Sequence, residues 1–269
     1  MSWAQLPTDW MDLPYNKYDR EYFESDQVLD ALPNEEPTGL RTFVWQKDGS
    51  SSSAALMVLI ALSIELGRQH FRERISLRDR EPTVAMSLDK LVRVTGFARK
   101  SVVSGIGLLE EAGAVEKRLI GRANVYELLG LKNAGHWCQI PSDTLLRPDG
   151  ALRMKEWPRN RALLDALKVY MALLAARNVA FNTASLSWTG IQRWTGIARR
   201  ENLGTALSIL FATHLISDAG DRDERSNIDK SRRYRITGLR PRPVIEVEIA
   251  PPAQRRESRR AQRRVSNPT

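Results

Sequence analysis

The sequence predicts an α+β fold, mostly α-helical with small β-hairpins, in which one unit is present twice. The first observation is a block at residues 87–99 that recurs at 187–199, with Ser, Arg, Thr, Gly, Ala and Arg in the same order and no gap. The second is apolar residues at helical spacing upstream of each block, and the third is short apolar runs around a polar turn downstream. A repeat of this length indicates a duplicated unit.

The similarity between the two copies extends beyond this block. The further matched segments are 55–62 with 166–173 and 125–131 with 233–239. Because the offset between the copies changes from block to block, we expect an insertion at roughly 70–82 in the first copy and a longer one at roughly 218–232 in the second. Surface loops tolerate insertions of this kind.

The first copy shows which elements the first part of one unit is expected to contain. Residues 54–68 are apolar at helical spacing and predict a core helix that ends near Gly67. Ser87 is a suitable N-cap for a short helix through Val94. The following Thr-Gly-Phe predicts a tight turn, in which Gly96 supplies a backbone conformation that other residues avoid.

A second helix is predicted over residues 98–112, followed by a hairpin. The side chains expected to face the core are Val102, Val103, Ile106, Leu109 and Ala112. Gly113 is a natural end for this helix, and short apolar runs on both sides of residues 121–124 predict a β-hairpin. Residues 210–216 of the second copy lack the glycine, so we expect the helix to end differently there.

This order of elements resembles the winged helix, a helix–turn–helix variant, over residues 54–131 and 160–239. The resemblance implies two duplicated winged-helix domains, in which the second helix of each turn motif lies in the major groove of DNA. It also implies that each hairpin is a wing that follows the DNA backbone or the minor groove. The predicted segments are an acidic aromatic N-terminal segment, domain 1, a structured linker, domain 2, and a strand with an Arg-rich tail, at 1–53, 54–141, 142–159, 160–240 and 241–269.

The charge distribution favours a nucleic-acid partner. Residues 1–38 contain nine acidic and two basic residues, a net charge of −7, so the rest of a chain of net charge +9 carries +16. Clustered Lys and Arg attract backbone phosphates and release counterions on binding. The alternative is a solvated basic surface that has no such partner.

Each predicted second helix begins with residues that can contact DNA. The candidates are Arg99, Lys100, Ser101 and Ser104 in the first copy, and Arg199, Arg200, Asn202 and Thr205 in the second. Arg can read guanine and Asn can read adenine through paired hydrogen bonds. Two alternatives stay open for Arg99 and Arg199, namely phosphate contacts alone or pairing with a carboxylate of the protein.

Further candidate DNA contacts lie on the wings and the tail. The wing candidates are Arg118, Arg122 and Asn124, and then Arg225, Lys230, Arg232 and Arg233; the tail candidates are Arg255, Arg256, Arg259 and Arg260. Residues 244–249 alternate as a strand does. No apolar residue of the tail can hold a helix in isolation, so the sequence predicts disorder without DNA. Nonspecific phosphate binding is the functional interpretation of the tail, and a solvated tail without that role is the alternative.

The acidic N-terminal segment has three possible roles. It can pack on the first domain, dock a protein partner, or compete with DNA for the basic surface; packing or docking is favoured. Trp188 and Trp194 match Leu88 and Val94 of the first copy, so we expect them in the core rather than as stacking platforms. Self-association through a dimer is a further possibility.

The chain lacks the sequence marks of an enzyme, a metal site or a membrane protein. Cys138 is the single cysteine and the three histidines have no metal-ligand spacing. Residues 130–136 have the glycine spacing of a phosphate loop but end in His rather than Lys, and no nucleophile elbow is present. The apolar run 54–62 is too short to span a bilayer and no signal peptide precedes it. We therefore expect no catalysis, cofactor, metal or membrane, and a cytoplasmic, nucleoid-associated prokaryotic protein.

The organisation of tandem winged helices resembles that of plasmid and mobile-element replication initiators. The resemblance implies sequence-specific binding of double-stranded DNA. A transcriptional or partition regulator fits the same chemistry. A tandem winged-helix scaffold subunit that binds protein partners, through residues 1–38 for example, is the alternative of another class.

Overall fold

The computed structural model describes residues 3–11, 37–73, 81–131, 136–219 and 232–241. Helices take up about 52% of these residues and strands about 21%, which confirms the α+β class. The helices are α1 Trp45–Asp48, α2 Ser50–Glu73, α3 Leu88–Thr95, α4 Arg99–Glu111, α5 Ser142–Leu145, α6 Arg161–Ala175, α7 Trp188–Thr195 and α8 Arg200–Ala212. One-turn 3₁₀ helices lie at Asp9–Met11, Gly39–Thr42 and Arg153–Glu156.

The strands form antiparallel sheets. They are β1 Ala4–Pro7, β2 Thr83–Ala85, β3 Val115–Ile120, β4 Ala123–Leu128, β5 Trp137–Ile140, β6 Arg177–Asn178, β7 Thr183–Leu186, β8 Ile216–Asp218 and β9 Arg232–Ile236. The sheet orders are β1-β5, β2-β4-β3 and β6-β7-β9-β8.

One order of elements occurs twice along the chain. In the first unit, α2 is followed by β2, α3, α4 and the β3–β4 hairpin; in the second unit, α6 is followed by β6, β7, α7, α8 and the β8–β9 pair. The last strand of each unit lies between its two neighbours, since β4 separates β2 from β3 and β9 separates β7 from β8. Each unit therefore closes a small sheet over its three helices.

The core helix α2 is longer than the sequence predicted. It begins at Ser50 and continues through Gly67 to Glu73. A Cβ at Gly67 would lie 2.7 Å from the Cβ of Ala4, so the glycine admits the close approach of β1 instead of ending the helix. By length and composition α2 is also sufficient to cross a membrane, which corrects the expectation from the shorter run, but 78% of its apolar window is buried inside the fold, as in a core helix.

The predicted caps and turns are confirmed in both units. Ser87 Oγ accepts a hydrogen bond from Lys90 N at 3.2 Å, and Ser187 Oγ accepts one from Gly190 N at 2.9 Å. The glycines that end α3 and α7, Gly96 and Gly196, have φ of 74° and 71°. These positive angles turn the chain sharply into α4 and α8, because a residue without a Cβ adopts them at little cost.

The ends of α4 and α8 are alike, which corrects the expectation that they differ. Ala114 N donates to Leu109 O at 2.9 Å, and Leu215 N donates to Leu210 O at 3.0 Å. Gly113 has a φ of 67°, and His214 takes the same left-handed position with a φ of 56°. A second correction concerns the inward face of α4, since Val103 is 46% exposed.

A second repeated segment, which the sequence analysis missed, joins the two units. Gln-Leu-Pro-Thr-Asp at 5–9 recurs as Gln-Ile-Pro-Ser-Asp at 139–143. The two segments form β1 and β5, and Gln5 pairs directly with Gln139, its own counterpart. Residues 3–11 of the predicted N-terminal segment therefore pack into the fold, with Trp10 donating to Pro7 O at 2.9 Å; residues 12–36 lie outside the described residues.

The contacts between the units are reciprocal. Helix α2 packs against α6. The 3₁₀ helix Gly39–Thr42, which precedes α2, packs on α7, and the 3₁₀ helix Arg153–Glu156, which precedes α6, packs on α3. We call these two short helices the first and second crossing turns. Reciprocal contacts between matching surfaces are typical of a two-fold interface, so these contacts indicate an approximate two-fold relation between the units.

Candidate nucleic-acid interface

The first candidate surface is the N-terminus of α4, directly after the Gly96 turn. Arg99 and Lys100 are exposed there, and Ser104 is exposed one turn further along. Ser101 is half-buried, and its Oγ lies 3.1 Å from Ser50 Oγ, so this hydroxyl helps join α4 to α2. Of the four predicted residues, three therefore face outward.

Arg99 has a carboxylate partner in the free protein. Its Nη1 lies 2.6 Å from Asp89 Oδ1, with both side chains largely exposed to solvent. Exposed ion pairs contribute little to stability because water screens them and the side chains lose entropy. Breaking the Arg99–Asp89 pair therefore costs little free energy.

The second candidate surface is the N-terminus of α8, after the Gly196 turn. Arg199 is the N-cap residue and Arg200 the first helical residue, and both are exposed. Within the part of the chain that the structure describes, neither has an acidic partner within ion-pair distance. Asn202 is half-buried and Thr205 exposed, with the Thr205 hydroxyl donating to Glu201 O at 2.9 Å.

The Gly196 turn is held by two side chains that the sequence analysis did not single out. Gln192 donates to the carbonyls of Ile197 and Ala198 at 3.1 and 2.9 Å. Lys168 of α6 is buried and donates from Nζ to Thr195 O at 2.9 Å. Burial lowers the pKa of Lys168 to about 8, while nearby Asp165 opposes the shift. These bonds fix the direction in which α8 starts.

Each turn is also covered by a basic side chain from the other unit. The Lys155 stem of the second crossing turn lies against Gly96, and the Arg159 guanidinium donates to Gly96 O and lies 5.1 Å from the Phe97 ring centroid. Arg41 of the first crossing turn lies against Gly196, where an added Cβ would be 3.4 Å from its Cγ. These three bases enlarge the positive surface beside both candidate helices. Sequence spacing gives no signal for them, because the contacts cross between units.

The β3–β4 hairpin, the first predicted wing, contains one predicted DNA-contact residue, Arg118, that has two acidic partners within the protein. Arg118 Nε lies 2.8 Å from Glu116 Oε1, and Arg118 Nη2 lies 3.0 Å from Oε2 of the buried Glu127. The hydrogen bond and charge of Glu116, followed by the charge of Glu127, raise the pKa of Arg118. Glu116 and Glu127 are directly opposite each other on β3 and β4, so Arg118 bridges two like charges. Arg122 is exposed at the turn of the hairpin, and Asn124 is half-buried.

The structure describes the two ends of the second predicted wing. The guanidinium carbon of Arg232 lies 5.6 Å from the centroid of the Trp188 ring, and Arg233 is half-buried on β9. Trp188 and Trp194 are half-buried and pack against the core, as expected, but Trp188 also lies under a cation. The remaining candidates, Arg225, Lys230, Arg255, Arg256, Arg259 and Arg260, lie outside the described residues.

Comparison with known proteins gives no assignment, since no protein-family model, curated protein or solved structure matches the chain.

Proposed function

We propose that the protein is a sequence-specific double-stranded DNA-binding protein that uses two duplicated winged helices. The observation that carries the proposal is the repeated arrangement at α4 and α8. Each helix starts directly after a left-handed glycine turn, and each presents a pair of exposed bases at its N-terminus, Arg99 with Lys100 and Arg199 with Arg200. Helix N-termini carry a partial positive charge, which adds to the attraction for phosphate.

The basic residues in and beside the crossing turns support the same assignment. Lys155 and Arg159 extend the basic surface beside α4, and Arg41 extends it beside α8. A protein–protein interface is typically depleted in charge at its centre, whereas a DNA interface is strongly basic. The clustered bases therefore favour DNA over the scaffold alternative.

The approximate two-fold relation of the units predicts the layout of the DNA site. Two recognition helices related by a two-fold axis read half-sites in inverted orientation, and such half-sites lie about one helical turn, roughly 34 Å, apart. One chain is then the equivalent of a symmetric dimer of one-domain repressors. The number of such sites in tandem distinguishes a replication initiator from a transcriptional or partition regulator.

Substitution of the α8 bases tests the proposal. Arg199→Ala with Arg200→Ala should weaken binding to a selected site by roughly 1–3 kcal/mol per lost contact. The same pair of changes at Arg99 and Lys100 should act in the same direction.

The matched control is Arg68→Ala with Arg72→Ala, which also removes two exposed bases. These residues lie on α2 about 30 Å along the helix from Ser50, where α2 meets α4. Binding should change little in the control. Equal losses in the control and in the α8 variant would mean that net charge alone drives binding, and no loss in either would contradict the assignment of the recognition helices.

A further inference from the structure

Two large apolar side chains stand in solvent at the tip of the first wing. Leu119 is 70% exposed and Ile120 is 63% exposed, at the end of β3 where the hairpin turns. Apolar side chains of this size are usually placed in solvent singly, so an adjacent pair at a projecting tip requires a reason.

The hairpin holds these side chains in fixed positions. The six residues of β3 pair in unbroken register with the six of β4, up to Ile120 opposite Ala123. Gly121 is the first residue of the two-residue turn, with a φ of 61°, and Arg122 is the second. A turn with glycine at its first position has a backbone twist that matches the twist of the two strands. The tip is therefore the regularly paired end of a hairpin.

The apolar pair is arranged as a wedge and not as a flat patch. Successive side chains of a strand point to opposite faces, so Leu119 and Ile120 lie on the two sides of the hairpin. A flat protein docking surface places its apolar residues together on one face. A group inserted between stacked bases is covered on both faces.

The neighbours of the pair fit a DNA groove. The small Ala123 lies opposite Ile120, and the polar Asn124 lies opposite Leu119, so the tip is narrow. Arg122 is exposed at the turn itself, where its charge can reach the phosphates or the floor of a minor groove.

We propose that the tip of the first wing enters the minor groove and places Leu119 and Ile120 against a base step, which partly unstacks the step and kinks the DNA. Apolar wedges of this kind kink DNA by roughly 20–90° towards the major groove. The second unit has no matching pair, since residues 219–231 contain a single large apolar residue, Ile228. The kink therefore falls at one end of the site, beside the half-site that the first unit reads.

The inference rests on the proposed DNA binding, so the experiment measures binding and bending separately on a site selected with the wild-type chain. Binding is measured by fluorescence anisotropy. Bending is measured by energy transfer between dyes at the ends of the fragment, and unstacking by 2-aminopurine placed in turn at each step of the site.

The test variant is Leu119→Ala with Ile120→Ala. Because both side chains are exposed, the variant should fold as the wild type does. It should retain specific binding but lose the kink and the 2-aminopurine signal. Phe181→Ala, which removes an apolar side chain 68% exposed on the second unit, should change neither. Arg122→Ala should lower affinity and the salt dependence of binding.

Each of the other outcomes overturns either the inference alone or the inference together with the proposed function. Specific binding to straight DNA, or a kink that the double variant retains, overturns the inference and leaves the proposed function in place. A loss of self-association in the double variant, with bending unchanged, assigns the tip to a protein contact and overturns the inference. A folded wild-type chain without specific DNA binding overturns the proposed function and the inference together.

Discussion

Replacing Gly105 by alanine should destabilise the fold, although alanine is the better helix former. Gly105 lies on the face of α4 that packs on α2, and an added Cβ would lie 2.7 Å from Ala55 N and 3.0 Å from Ser51 O. Both contacts are with backbone, which cannot rotate away as a side chain can. To reach ordinary contact at 3.4 Å, the helices must separate by about 0.7 Å.

The magnitude follows from two opposing terms. Alanine gains about 1 kcal/mol over glycine within a helix, whereas overpacking of a tight core contact costs about 3 kcal/mol at its upper end. Gly105→Ala should therefore lose about 2 kcal/mol, which is roughly 4–8 °C in Tm for a chain of this size.

Gly107 of the same helix is the matched control. An added Cβ there meets nothing within 4 Å. Gly107→Ala should therefore gain up to about 1 kcal/mol from helix propensity alone. Urea denaturation followed by far-UV circular dichroism measures both variants. If Gly105→Ala proves as stable as Gly107→Ala, α4 does not pack on α2 as described.

Three other substitutions or reagents test the fold and the turns. Lys168→Met removes the hydrogen bond to Thr195 O. The pKa of Lys168 is about 8 in the folded chain and about 10.5 in the unfolded chain, so between these pH values the unfolded chain binds more protons than the folded chain. The unfolding free energy of the wild type should therefore rise by up to roughly 3 kcal/mol relative to that of the variant as pH rises from about 7 to about 10.5. A wild-type unfolding free energy that falls relative to that of the variant over this range would contradict the burial of the ammonium. Cys138 is buried and its pKa is raised to about 12, chiefly by desolvation, so a thiol reagent at pH about 8 should modify it only when the chain unfolds. Fast modification of the native protein would place the thiol in solvent. Arg118→Ala removes one cation from the buried Glu127 and should lower the urea midpoint, and adding Glu127→Gln should restore most of the loss; a double variant no better than the single one would show that the ion pair is not the cause.

Local signals predicted the turns of both units. A serine cap, a helical run and a glycine at the required position are each set by neighbouring residues, so Ser87, Gly96 and their counterparts at 187 and 196 were placed correctly. The left-handed conformation of His214 was missed, because a positive φ is uncommon for any residue other than glycine and a single histidine in the sequence does not indicate it.

The sequence did not predict contacts between residues that are far apart along the chain. The repeat that forms β1 and β5 is only five residues long and has a different offset from the other repeats, so it has little weight until Gln5 is seen opposite Gln139. The ion pair of Arg118 with Glu127 was also not predicted, because the two residues are nine positions apart and only the register of the hairpin brings them together. The DNA-facing role of Arg99 and Arg199 stays a prediction.

Selection of bound fragments from a random double-stranded DNA library at moderate salt, followed by sequencing, tests the central proposal most directly. We predict enriched sites with two half-sites in inverted orientation, about one helical turn apart, because the contacts between the units indicate an approximate two-fold relation. Tandem copies of the whole site in the source DNA would favour a replication initiator, and isolated copies a regulator. A folded chain that enriches no sequence would contradict specific DNA recognition.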